Sequence, residues 1–360
     1  MSHRVYLDWN ATAPLRAEAR DAMVAAMDVV GNPSAVHAEG RSARGLVEKA
    51  RAQVAAAVGC KPAEVIFTSG ATEAAGVLAH PGTGCDVLVQ ETAHDALWAH
   101  VKMSDWPERP LGPGHTLAMG LANSETGVIS EPPAKIDGQW PFGRARADWL
   151  LLDVTQAVGR IPFSFAWSGA DFAVLSAHKL SGPKGVGALI VRDGLDISPI
   201  AEGGGQEMGR RSGTENVIGI AGFGAAAEAA MADLEGGRWA AVEKLRNILE
   251  TSLASRAIET IFVGKDIARL PNTACFATPG WKGETQVMQM DLAGFAVSSG
   301  SACSSGKVKS SRVLQAMGLS DAEAAGALRV SLGPETTEED VMRFAEAWLH
   351  HYEKFRQRAA

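Results

Sequence analysis

At 360 residues, 46% hydrophobic and 21% charged, the chain has the composition of a soluble globular protein long enough for two domains. Its formal net charge of −7 argues against direct nucleic-acid binding. The segment from Met1 to Asp8 lacks the apolar core of a signal peptide, and even the apolar 217–233 stretch is Ala/Gly-rich and carries Glu228, so no membrane span is expected.

The four cysteines (60, 85, 275 and 303) stand far apart without a C-x-x-C pair, so neither a metal site nor a redox couple is expected. A reducing, cytoplasmic location with free thiols follows as the simplest expectation.

In chain order, residues 1–14 read as a short extended arm ending in a turn, and Gly31-Asn-Pro-Ser34 as a loop with His37 just beyond. Helical spacing of Leu46, Val47, Ala50, Val54, Ala57 and Val58 predicts a helix over 41–58, stopped by Gly59. Val65–Phe67 is a short strand running into Thr68-Ser-Gly-Ala-Thr-Glu73, which opens an alanine-rich helix. Small residues before a helix start suit a phosphate, since free N–H groups and the helix dipole both face the anion. A plain N-cap has the same look.

Further strands are expected at 86–89, 116–121, 149–152, 172–175 and 187–191, with helices or loops between several of them. That alternation predicts an α/β domain with a mostly parallel sheet, in which chemistry collects at the carboxyl ends of the strands. His94, Asn123, Asp153, Gln156, Ser176, His178 and Lys179 all fall at such ends. After the glycine-rich loop 202–214, a helical region runs from about Asn216 to Met231 and again over 239–253, with a domain boundary placed near 235. Domains are thus expected at 15–235 and at 1–14 with 236–360. The second reads as α+β, with strands at 258–263, 272–278 and 295–297 and helices at 284–292 and 338–355.

Three groups in this order carry chemistry. An isolated lysine at a strand end is ordinarily a surface residue, but Lys179 follows the buried run Phe172–Leu175 beside Ser176 and His178. Desolvation there favours a neutral amine able to condense with an aldehyde. Asp153 ends the run Trp149-Leu-Leu-Leu, where a carboxylate needs a cationic partner such as a protonated pyridine nitrogen, or serves as a helix N-cap. Cys303 sits in Ser298-Ser-Gly-Ser-Ala-Cys303-Ser-Ser-Gly-Lys-Val-Lys-Ser-Ser311, a small, polar stretch whose Lys307 and Lys309 favour a thiolate. By contrast Cys60, Cys85 and Cys275 look structural.

Taken together these motifs resemble the cysteine desulfurases of the class V aminotransferase family, pyridoxal 5'-phosphate enzymes of fold type I. The resemblance runs from Tyr6-Leu-Asp8 to Leu332-Gly333 through Gly31-Asn-Pro-Ser34 with His37, Thr68–Glu73, Asn123–Gly127, Asp153-Val-Thr-Gln156 and Ser176-Ala-His-Lys179. It continues through Gly203-Gly-Gly-Gln-Glu207, Arg211-Ser-Gly-Thr214, Ser298–Cys303 and Leu328–Gly333. It implies a large domain with a mostly parallel mixed sheet between helices, plus a smaller α+β domain carrying the active-cysteine loop.

The same resemblance implies that Lys179 is the Schiff-base lysine and the base that moves the substrate's α-proton. Asp153 would pair with the pyridine nitrogen, Gln156 with the ring hydroxyl, and His94 would stack on the ring as a catalytic partner. Ala71, Thr72, Ser176 and His178 would hold the phosphate, with Thr214 of the partner subunit in a homodimer. Asn123 and Arg329 would bind the carboxylate of L-cysteine, Arg329 as a bidentate fork.

Cys303 would take the sulfur as a persulfide, releasing L-alanine, and hand it to a sulfur-acceptor protein such as a cluster scaffold or thiolation carrier. The loop from Cys303 to Ser311 has the length of the long-loop group. The alternatives are another class V enzyme (aminotransferase or selenocysteine lyase) or a non-catalytic scaffold. This chain departs from the family pattern in Ala93-His94 for Glu-His, in Asn123-Ser-Glu-Thr-Gly127 for Asn-Asn-Glu-Ile-Gly, and in a shortened segment between 94 and 123.

Overall fold

A computed structural model describes residues 4–79, 86–101, 114–300 and 311–359. The chain forms two compact units, Pro14–Leu121 with Ser130–Leu234, and Met1–Ala13 with Ala122–Ile129 and Glu235–Ala360. The segment 122–129, which the sequence reading left inside the larger domain, groups with the smaller unit.

The larger unit is built on a six-stranded sheet in the order Val65–Thr68, Gly187–Val191, Phe172–Ser176, Trp149–Asp153, Thr116–Gly120 and Val87–Val89. Gly187–Val191 runs antiparallel to both its neighbours, and every other pairing is parallel. The α/β class expected from the strand–helix alternation is the one observed. Strands buried on both faces read as unbroken apolar runs. Hence Leu150, Leu151 and Leu152 are fully buried, and every residue of Phe172–Ser176 is buried. Ile66, Leu78, Leu97, Ala118, Val174 and Leu189 pack into one core around this sheet.

Two helices of this unit depart from the sequence expectation. The alanine-rich helix after Thr68 is a single α-helical turn, Ala71–Ala74, that tightens to a 3-10 turn over Ala75–Ala79. An unforeseen helix, Ala17–Met27, buries only Ala19 and Ala26, too few apolar positions to mark it in sequence. The helix Val217–Glu235 is long and apolar enough to cross a membrane, yet half of that window is buried. Its glycines admit close neighbours, since a Cβ on Gly222 would lie 2.6 Å from Met23 and one on Gly224 2.6 Å from Ala50. Gly237, in the left-handed region at φ 72°, ends the interruption before Arg238–Ala254 begins.

The smaller unit holds an antiparallel sheet in the order Ile261–Phe262, Thr273–Ala277, Ala327–Ser331 and Ser298–Ser299. The N-terminal strand Val5–Tyr6 pairs in parallel with Phe295–Ala296. Instead of one strand over 295–297 there are therefore two short ones with different partners. Trp348, fully buried in the helix Glu338–Ala359, meets Phe276 edge-on at 5.3 Å. Its indole N–H donates to Gln286 Oε1 at 2.9 Å, and Gln286 donates in turn to the Trp281 and Gly326 carbonyls. A buried amide with partners of this kind stabilises a core that an unpaired one would weaken.

Candidate active site

Register in the large sheet gathers several of the expected residues at one edge. Thr68 lies opposite Gly187, Gly187 opposite Ser176, Val174 opposite Asp153, and Asp153 opposite Gly120. Because Gly187–Val191 alone is reversed, its first residue sits among the last residues of its neighbours. A Cβ on Gly187 would stand 2.6 Å from Gly70 Cα and 2.6 Å from the Leu175 carbonyl oxygen. The absence of a side chain thus lets the Ser69–Gly70 backbone lie against the strand end. A Cβ on Gly70 would meet only Ser176 Oγ, at 3.6 Å, and would fill the space in front of that hydroxyl.

This packing starts the turn Ala71–Ala74 beside Ser176, with first-turn N–H groups that have no acceptor within the helix. Gly187→Ala is expected to force the cradle apart, lowering the unfolding free energy by about 1–3 kcal/mol. Its dissociation constant for pyridoxal 5'-phosphate should rise at least about tenfold, because the anion's donors move with Gly70. Equilibrium dialysis beside a denaturant titration would check both effects.

Lys179 stands on the 3-10 turn Ala177–Leu180, closed by Ser181 at φ 62° and by the Gly182 N–H donating to the Ala177 carbonyl at 3.0 Å. Its backbone carbonyl accepts from Arg160 Nη2 at 3.2 Å, while Arg160 Nη1 donates to Gln156 Oε1. Arg160 is only 2% exposed and links the turn carrying Gln156 to the turn carrying Lys179. Sequence reasoning passed over it, since Gly159-Arg160 has no motif around it. Asp153 is partly buried at its strand end, and its Oδ1 accepts the Thr155 N–H at 2.9 Å. It thereby caps the following turn, which accounts for one of its two oxygens.

His178 is half-buried beside Lys179. Burial, then the charges of Lys179, Lys184 and Arg160, push its pKa down to about 4. At neutral pH it is therefore an uncharged imidazole, able to donate one N–H to an anion. His94 is exposed and caps the short helix Asp95–Trp98, its Nδ1 accepting the Ala96 N–H at 3.1 Å. Thr72 is exposed at the first turn and Ala71 partly buried beside it, while Thr214 lies exposed in the loop after Gly187–Val191.

That loop is anchored by charges whose partners the sequence did not reveal. Glu207 takes a two-pronged ion pair from Arg51, at 2.7 and 2.9 Å, and accepts the Phe67 N–H at 2.9 Å. Both partners are buried, and breaking such a pair from one side costs about 3–5 kcal/mol. The left-handed backbone at Glu207 and Met208 is held in place by this contact. Arg211 donates to Glu73 Oε1 at 2.8 Å, and Glu73 also accepts the Ser69 N–H at 2.7 Å. Burial alone would raise the Glu73 pKa, but the Arg211 and Ser69 donors leave it below the ordinary range. The cradle and the 203–213 loop are thus tied at two points.

In the smaller unit, Asn123 Oδ1 accepts the N–H groups of Glu125 and Thr126, each at 2.9 Å, and the Thr126 hydroxyl at 3.2 Å. The Thr126 hydroxyl thereby adds a third bond to the turn. Arg329 is 4% exposed on its strand, donating from Nη2 to Asp8 Oδ1 at 2.7 Å and from Nη1 to the Ser124 carbonyl at 3.0 Å. Cys303 and Cys85 lie outside the described residues. Burial pushes the Cys60 and Cys275 thiols up to about 12, which disfavours the thiolate at both.

The donors fit a phosphorylated pyridine aldehyde. First-turn amides, the Thr72 and Ser176 hydroxyls and a neutral His178 suit a dianion, Asp153 suits a ring N–H⁺, and Lys179 supplies an amine. Among the described residues no group of three His, Cys, Asp or Glu side chains could hold a metal ion.

A family model described as aminotransferase class-V matches residues 5–104 and 115–344. The chain is 40% identical over 383 residues to a cysteine desulfurase of Frankia sp. (strain EuIK1), covering 95% of this chain and 90% of that protein. It is 36% identical to a cysteine desulfurase of Cereibacter sphaeroides, with 95% and 94% covered. Among solved structures, a NifS-like protein from Rickettsia africae superposes with a TM-score of 0.84 at 29% identity, covering 98% of this chain and 100% of the other.

Proposed function

Because the chain belongs to the class V aminotransferase family, we propose that it is a cysteine desulfurase, an enzyme that converts L-cysteine to L-alanine and passes the sulfur on as a persulfide. What carries this reading is the likeness to curated cysteine desulfurases over nearly the whole chain. A strand-end cradle whose donors suit pyridoxal 5'-phosphate stands beside it.

The first-turn amides from Ala71, the Thr72 and Ser176 hydroxyls and the His178 N–H would hold the phosphate. Asp153 would keep the ring nitrogen protonated, Gln156 would face the ring hydroxyl and His94 would cover the ring. Bound in this way, the cofactor supplies an electron sink that makes the substrate's carbon–sulfur bond breakable. Lys179 would move the proton at the substrate's α-carbon, its turn held by Arg160 so that the amine returns to one place. Arg329 would fork the substrate carboxylate, with Asn123 beside it. The Cys303 thiolate would form a bond to the substrate sulfur as that sulfur parts from its carbon, the electron pair of the broken bond staying with the carbon.

Homodimer formation with Thr214 of the partner subunit completing the phosphate site, a cytoplasmic location, and delivery of sulfur to an acceptor protein for iron–sulfur clusters or thiolated products complete the proposal. Incubation of the cofactor-loaded protein with L-cysteine and a thiol reductant should yield alanine and sulfide in equal amounts. Product formation only when a keto acid is added would replace this reading with a transaminase.

A further inference from the structure

The arginine proposed to fork the substrate carboxylate already has a carboxylate beside it. Asp8 follows the N-terminal strand Val5–Tyr6 and is bridged to Ser331 on the strand that carries Arg329. Both side chains are largely buried, at 16% exposed for Asp8 and 5% for Arg329. The ion pair is one-pronged. Asp8 Oδ1 accepts from Arg329 Nη2 at 2.7 Å, while Asp8 Oδ2 accepts the Ser298 hydroxyl at 2.8 Å. Ser298 lies opposite Arg329 in the sheet, so the strand that turns Oδ2 aside is the arginine's own neighbour.

The consequence lies in what is left of the guanidinium. Its five N–H groups lie in one rigid plane, and two acceptors on different nitrogens fix that plane. Asp8 fixes Nη2, and the Ser124 carbonyl fixes Nη1 at 3.0 Å. Arg329 Nε is buried with no hydrogen-bond partner among the described residues. A buried donor without an acceptor carries a desolvation cost that a ligand oxygen would recover. Had Asp8 offered both oxygens to one edge, Nε would be occupied as well; had it offered none, a buried cation would stand alone.

Resting on the reading of Arg329 as the carboxylate site, we propose that Asp8 is a positioning residue that holds Arg329 half-engaged, aligned for the α-carboxylate of an amino-acid substrate. It neutralises the buried cation between turnovers and leaves a fork edge open.

The test compares dissociation constants of L-alanine and ethylamine, its counterpart without a carboxylate, read from the visible absorbance of the cofactor-loaded protein. Wild type should prefer L-alanine at least about tenfold, the worth of one hydrogen bond to a charged group. Asp8→Ala should collapse that ratio to within about threefold of unity, with KM for L-cysteine rising at least tenfold and kcat moving far less. Asp8→Asn keeps an acceptor for Nη2 and should restore most of the preference. Asp8→Ser, polar but too short to reach, replaces Asp8→Ala if the latter does not melt cooperatively.

An unchanged ratio in the Ala or Ser variant would overturn the inference, as would a fall in kcat alone or an Asn variant no better than Ala. A wild type indifferent to the carboxylate would overturn it too. If wild type yields no alanine from L-cysteine while the ratio still depends on Asp8, the desulfurase reading fails and the positioning role stands.

Discussion

Lys179→Ala is expected to lower alanine formation from L-cysteine by at least about 10³-fold, within the range a positioned proton-transfer group contributes. The residue is not interchangeable with the lysine five positions on. Lys184 is exposed between Pro183 and Gly185, whereas Lys179 is partly buried on a turn tied to Arg160 and closed at Ser181. An amine on a turn held in this way is the better aimed of the two. Alanine assays on Lys179→Ala and Lys184→Ala, each reconstituted with pyridoxal 5'-phosphate, separate the two. Activity of Lys179→Ala within tenfold of wild type would remove the lysine from the chemistry, and Lys184→Ala should stay within twofold of it.

The second large effect is at Cys303. Cys303→Ala should lose sulfide release from L-cysteine by at least about 10²-fold while retaining the bound cofactor's visible absorbance, since removal of a nucleophile leaves the cradle untouched. Burial pushes the Cys60 and Cys275 thiols up to about 12 and disfavours their thiolates, so neither is expected to substitute. Cys60→Ala is the matching control and should release sulfide at the wild-type rate. Equal losses from both variants would point to general damage instead of a sulfur-carrying role.

The central sheet was legible because each of its strands is an apolar run buried on both faces, and the expected and observed bounds differ by a residue or so. Trp149–Leu152 extends to Asp153 and Phe172–Leu175 to Ser176, since polar residues that end a strand can still make its last ladder bonds. Lys179, Asp153, Ser176 and His178 stood out as candidates for the same reason: they end or follow apolar runs where a core has no use for them.

What stayed hidden was pairing at long range. Nothing local in Arg51 announces Glu207, 156 residues away, and nothing in Asp8 announces Arg329, 321 residues away. The strand Ala327–Ser331 was not among the expected ones; Arg329 entered through the family resemblance alone, and its side chain is buried against an acidic partner. Gly187 read as the plain first residue of a strand, and only the close approach of Gly70 reveals why a side chain is not tolerated there.

The N-terminal arm has a consequence for how the protein is made. Val5–Tyr6 waits for Phe295–Ala296, and Asp8 waits for Arg329 and Ser331. On the ribosome, the first dozen residues emerge long before any of those acceptors exist, while the strands of the large sheet have all been synthesised by Val191. Nascent chains therefore carry Val5–Tyr6 and Asp8 without these partners through most of translation, so this part of the smaller unit forms only after the large sheet is complete in sequence.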